Sequence, residues 1–115
     1  MITVLAAIAG FVAVALGAFG AHALENGFDE KQAGWWQTAT FYLLVHAALA
    51  TALSAMPGEK FGLPAWVMVC GAILFAGTLY AMALGAPRWF GAITPLGGLG
   101  MLAGWALIAW AALKA

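Results

Sequence analysis

The chain has 115 residues, 66% of them hydrophobic and 7% charged, with a formal net charge of zero. So few charges cannot solvate a water-soluble domain of this size, so lipid must cover much of the surface. No basic run points to nucleic acid, and a single cysteine, Cys70, leaves no internal disulfide to form.

The first apolar run, Ile2 to Leu24, carries no formal charge. At 1.5 Å per residue it reaches about 34 Å, enough for a hydrocarbon core of about 30 Å. Ala21-His22-Ala23 mimics a leader-cleavage site, but no Lys or Arg precedes the run, so a retained span is expected. Ala9, Ala13, Gly17 and Ala21 form a ridge of small residues that lets a neighbouring helix approach closely. A polar segment follows, in which Asp29 and Gln32 read as a capping box. The second helix therefore starts near Glu30 and runs to about Met56, where Pro57-Gly58 stops it. Trp35 and Trp36 are expected to mark the membrane interface. Pro64 is read as the first position of the third helix, which runs to about Ala86 with small residues at Gly77, Ala81 and Gly85. Thr94 and Pro95 read as N-cap and first position of the fourth, which carries Gly100 and Gly104 in GxxxG spacing.

The expected architecture is an all-α integral membrane protein: one domain over 1–115, with four transmembrane helices at about 2–25, 30–56, 64–86 and 95–113 in an antiparallel bundle. Helix packing is assigned to Ala13, Gly17, Ala21, Gly77, Ala81, Gly100 and Gly104. Four spans place both termini on one side, with Lys60 and Lys114, and leave Lys31 and Arg88 on the other. Together with the terminal amine, this charge distribution leans slightly towards cytoplasmic termini.

Tyr42 and His46 lie four residues apart, so a helix puts them on one face. An ionisable residue at membrane depth is a functional candidate. Measured from the side of the first and third loops, Tyr42 and Tyr80 lie about 9 Å in, and His46 and Trp105 about 15 Å. His22 lies near that surface, and Thr78 falls in the same half. His22, Tyr42, His46, Thr78, Tyr80 and Trp105 are thus the candidate pocket residues. They line either a cleft opening towards those loops or an interior whose polar groups bond one another. No cofactor or metal is expected, because the two histidines differ in depth by about 12 Å and nothing completes a coordination set. No catalytic set is recognisable either: there is no GxSxG, phosphate loop or paired carboxylate, and an enzyme is not expected.

Leu16-Gly-Ala-Phe-Gly-Ala-His-Ala-Leu24, Tyr42 with His46, Phe75-Ala-Gly-Thr-Leu-Tyr80, Thr94-Pro-Leu-Gly-Gly98 and Gly104-Trp105 occur in this order over almost the whole chain. Together they resemble the small bacterial membrane proteins of the YgdD/YwdK type, the domain of unknown function 423 family, related to the eukaryotic transmembrane protein 256. The resemblance implies a multi-pass protein of the bacterial inner membrane with four helices, cytoplasmic termini and no established activity. It carries over no catalytic residue. Where such proteins often have glutamine after the tyrosine of the second helix, this chain has Leu43, and it ends with fewer basic residues than they do. The functional expectation is a protein that binds a lipid, an apolar small molecule or a partner helix within the bundle. The alternative is a small transporter or channel component with Tyr42 and His46 lining the path. Membrane lipids are the expected partners, and the glycine ridges leave a homo-oligomer open.

Overall fold

Each helix begins and ends where local chemistry satisfies, or does without, its terminal backbone groups. The computed structural model describes residues 1–24 and 26–114; the side chains of Ala21, Ala23 and Leu24 are outside it, so the packing role expected of Ala21 lies outside the described residues. Four helices follow in order: α1 (Ile2–Leu24), α2 (Glu30–Ser54), α3 (Gly62–Ala83) and α4 (Thr94–Leu113), with a short 3-10 helix, Arg88–Ala92, before α4. No strand occurs among the described residues.

The capping box opens α2. Asp29 Oδ1 accepts from Gln32 N at 2.8 Å, and Gln32 Oε1 accepts from Asp29 N at 2.9 Å. Pro64 occupies the third position of α3 rather than the first, since the helix starts at Gly62. The first four N–H groups of a helix lack an intrahelical partner, so a proline there sacrifices no bond. α3 stops at Ala83, earlier than expected. Gly85 sits just beyond with φ 112°, Gly85 N donates to Met82 O at 3.1 Å, and Ala86 N donates to Ala81 O at 2.9 Å. This is a Schellman close, and only glycine adopts that φ without strain. Gly85 is therefore a terminator. Thr94 differs too: Ile93 holds the N-cap place without a side-chain cap bond, so Thr94 is the first residue of the helix and Pro95 the second, and the Thr94 hydroxyl lies 3.2 Å from Phe90 O.

Among the described residues, three segments are long and apolar enough to cross a membrane: Ile2–Gly20, Gly62–Ala83 and Arg88–Leu113. α3 is the hub. Its most apolar stretch is 56% buried, against 17% for α1 and α4. It packs along both α2 and α4 and touches α1, whereas α2 and α4 make no broad contact of their own. The body measures 49 × 26 × 19 Å. The short dimension is about two helix diameters. α1 and α4 turn Phe11, Val14, Phe19, Leu96, Leu99 and Leu102 outward, as helices bathed by lipid do.

The seams are stitched by a few polar bonds. Thr3 Oγ1 donates to Ser54 Oγ at 2.8 Å, and Trp36 Nε1 donates to Leu16 O at 2.8 Å, joining α1 to α2 at two levels. Gln32 Nε2 donates to Ala83 O at 3.0 Å, and Thr40 Oγ1 bonds Tyr80 Oη at 2.7 Å, joining α2 to α3. Trp36 is buried and lies edge-on to Tyr80 with ring centroids 4.6 Å apart. It ties α2 to α1 and packs on α3. Its indole N–H donates to a helix carbonyl and its ring meets Phe28 and Tyr80, which satisfies both the polar and the apolar part of the side chain inside the protein.

Candidate functional site

Because α2 and α4 both lean on α3 without meeting broadly, a furrow of about 650 Å³ remains between them. Its walls are Phe41, Tyr42, Val45 and His46 from α2 and Pro95, Gly98, Leu99, Leu102 and Trp105 from α4, with Phe75 of α3 and Met101 at the base. The lining is almost wholly apolar and aromatic. Gly98 keeps one wall low, since a Cβ there would meet only Phe75, at 3.9 Å.

His46 sits at the inner end, 5% exposed. Its Nδ1 is 2.6 Å from the carbonyl oxygen of Tyr42, one helical turn back. A carbonyl only accepts, so Nδ1 carries the proton. On the other side Trp105 Nε1 donates to His46 Nε2 at 3.1 Å. An indole N–H only donates, so Nε2 carries none. Both partners therefore specify one neutral tautomer, and a proton added at Nε2 would break the bond to Trp105. That bond crosses from α2 to α4 and closes the furrow. Tyr42 stacks on the imidazole with centroids 6.0 Å apart and 12° between planes, and meets Phe75 edge-on at 5.0 Å. Tyr42 remains 39% exposed, and its hydroxyl bonds no other described residue.

The six candidate residues do not form one cluster. The structure brings together Tyr42, His46 and Trp105. Tyr80 is on the other side of α2, held by Thr40 and Trp36, and lines a separate apolar pocket of about 230 Å³ among α1, α2 and α3. Thr78 faces the start of α4: its Oγ1 lies 2.6 Å from Thr94 Oγ1, and the two hydroxyl protons are shared among that contact, Phe75 O at 2.9 Å from Thr78 and Phe90 O at 3.2 Å from Thr94. His22 is exposed on α1 and does not line the furrow. Depth placed these residues in one half of the membrane, but depth does not say which side of a helix they occupy.

Among the packing residues, Ala13 is fully buried, Ala81 half-buried, and Gly17, Gly100 and Gly104 abut Thr40, Gly71 and Met68 respectively. Gly77 differs: it is exposed, and nothing lies within 4 Å of where its Cβ would be. α1 passes the mouth of the small pocket there without closing on it. Sequence reasoning missed Phe75 and Gly98 as furrow residues. Phe75 stands three residues before Thr78, but nothing in its spacing announces that it forms a floor. No cluster of three or more His, Cys, Asp or Glu able to hold a metal occurs among the described residues.

The family described as "Protein of unknown function (DUF423)" matches residues 16–98. The chain belongs to this family. It is 39% identical to the UPF0382 inner membrane protein YgdD of Escherichia coli K12, covering 96% of this chain and 88% of that one. It is 41% identical to a UPF0382 membrane protein of Haemophilus influenzae, covering 96% and 91%. It is 36% identical to the UPF0382 membrane protein YwdK of Bacillus subtilis, covering 96% and 94%. The similarity spans the furrow residues from both α2 and α4. No solved structure matches the chain.

Proposed function

We propose that this family member is a non-enzymatic, four-span protein of the bacterial inner membrane with both termini cytoplasmic, which holds a lipid chain or another apolar small molecule in the furrow between α2 and α4. The observation that carries this reading is the furrow itself: an aromatic-walled groove of about 650 Å³ with a polar end at His46 and a spare hydroxyl at Tyr42. Ligand sites are concave and mostly apolar, with a small number of placed polar groups. The antiparallel four-span order draws on the pairings of Thr3 with Ser54, Gln32 with Ala83 and Thr78 with Thr94, each of which joins the early part of one helix to the late part of its neighbour in sequence. α2 is the most polar of the four, yet 25 residues reach about 37 Å. A transport path through Tyr42 and His46 is disfavoured because both imidazole nitrogens are already engaged and no intramembrane carboxylate is available to relay a proton.

Gly98→Leu is the blocking variant, because it fills the furrow from a position with room for a Cβ and favours the helix. Full-length protein in phosphatidylcholine nanodiscs would be labelled with a photoactivatable fatty-acyl phosphatidylcholine, and the labelled peptides identified. Label is expected to concentrate on Phe41–His46 and Leu99–Trp105 and to fall in Gly98→Leu. Equal labelling of Val4 on α1 and Leu74 on α3, both exposed and outside the furrow, would overturn the reading. Topology is checked in a Cys70→Ser background: Cys introduced at Gly58 and at Lys114 should react with an impermeant maleimide from the same side, and Cys at Trp89 from the other.

A further inference from the structure

The opposite end of the molecule carries a second recess that the furrow reading does not use. Where α3 begins and α4 ends, a groove of about 490 Å³ is lined by Lys60, Leu63, Pro64, Leu107, Trp110 and Lys114. Two of the chain's four basic side chains stand at its rim, and no acidic residue lines it. Glu59 is exposed beside Lys60 in sequence but does not line the groove. Lys114 Nζ lies 5.8 Å from the Trp110 ring, and Lys60 Nζ 5.5 Å from the Phe61 ring, so each ammonium is held at the aromatic level of the helix ends. Between them the wall is apolar, made by Leu63 and Pro64 of α3 and Leu107, Trp110 and Ala111 of α4.

We propose that this groove binds an anionic phospholipid, its phosphate between Lys60 and Lys114 and one acyl chain along Leu63 and Leu107. Charge complementarity selects the occupant. Two cations above an apolar wall match a negatively charged head on a hydrocarbon tail, and a basic pocket between helix ends is how membrane proteins hold such heads. A zwitterionic lipid carries its own cation and gains less. The site faces the side of the termini, so it samples one leaflet only. It is independent of the α2–α4 furrow, and either site can be present without the other.

The test is native mass spectrometry of the full-length protein in detergent with equimolar dioleoylphosphatidylglycerol and dioleoylphosphatidylcholine. The wild type should retain the phosphatidylglycerol preferentially, by about thirtyfold, the scale of two lysines near a membrane surface. Lys60→Gln with Lys114→Gln should abolish the preference with an unchanged melting temperature, while Lys31→Gln with Arg88→Gln should keep it. Leu107→Trp fills the acyl track and should weaken retention with both lysines in place. Three results would overturn the proposal: preference surviving the Lys60/Lys114 pair, preference lost equally in the Lys31/Arg88 pair, or retention unaffected by Leu107→Trp. Inorganic phosphate at millimolar concentration should not displace the lipid; displacement would mean a simple anion site instead.

Discussion

The seam between α3 and α4 and the seam between α1 and α2 are both built from small residues, but they are not the same kind of contact. Between α3 and α4 the meeting surfaces are backbone. A Cβ on Gly71 would lie 2.7 Å from Met101 N and 2.8 Å from Gly100 C, and one on Gly97 would run into Phe75 N and lie 2.7 Å from Gly71 O. Between α1 and α2 the surfaces are methyl groups and side chains: Ala6, Ala9 and Ala13 bury against α2, a Cβ on Gly10 would meet Ala47 Cβ at an ordinary 3.7 Å, and one on Gly17 would crowd Thr40 Cγ2 at 2.8 Å. In lipid there is no hydrophobic drive between helices, so close van der Waals approach is what holds them. A glycine seam brings two rigid backbones together and has nowhere to yield. An alanine seam meets side chains that can rotate.

The comparison breaks most visibly at Gly71. Gly71→Ala should cost about 3 kcal/mol, the upper end of overpacking, because neither backbone can move aside without separating α3 from α4. Thermal unfolding in detergent would measure it. A loss under about 1 kcal/mol would mean the seam is looser than described.

A third kind of join, one hydrogen bond across an open furrow, gives the next effect. His46→Leu strands the Trp105 N–H and should destabilise by about 1–3 kcal/mol. His46→Gln can still accept a bond and should lose less. The indole fluorescence of Trp105, isolated by replacing the other tryptophans with Phe, should report the broken bond in the Leu variant only.

The smallest and sharpest contrast sets two α-helical glycines against each other. Gly17→Ala presses on Thr40, which is held by Tyr80, and should cost about 1 kcal/mol. Gly77→Ala meets open space and should stabilise by about 0.5–1 kcal/mol, the gain in helix propensity. Melting curves that move in the same direction for both would show that the ridge containing Gly77 packs after all, against another copy of the chain.

Much of the local structure was readable in advance, for a physical reason. Helix ends are local events in which free N–H and C=O groups must find partners. Asp29 with Gln32 therefore showed where α2 starts, and Pro57-Gly58 where it had to stop. Proximity in depth was also readable, because the rise per residue is fixed; that arithmetic set Trp105 level with His46, and the structure joins them by a hydrogen bond. Direction around the helix axis was not readable. His22, Thr78 and Tyr80 share that half of the membrane yet face elsewhere.

The sequence by itself determined that this is an apolar, all-helical membrane protein and roughly where each helix begins and ends. Only the tertiary structure decided which face of each helix is buried. α1, α3 and α4 are apolar nearly all round, so water does not mark an inside and an outside on them as it does for an amphipathic helix. The choice falls to steric fit and a handful of hydrogen bonds. Gly71 and Gly77 look alike in the chain, yet one meets a backbone and the other meets nothing within 4 Å. Trp36 reads as an interfacial residue and is buried. The furrow itself belongs to no motif: it exists because α2 and α4 both lean on α3 and leave the space between them open.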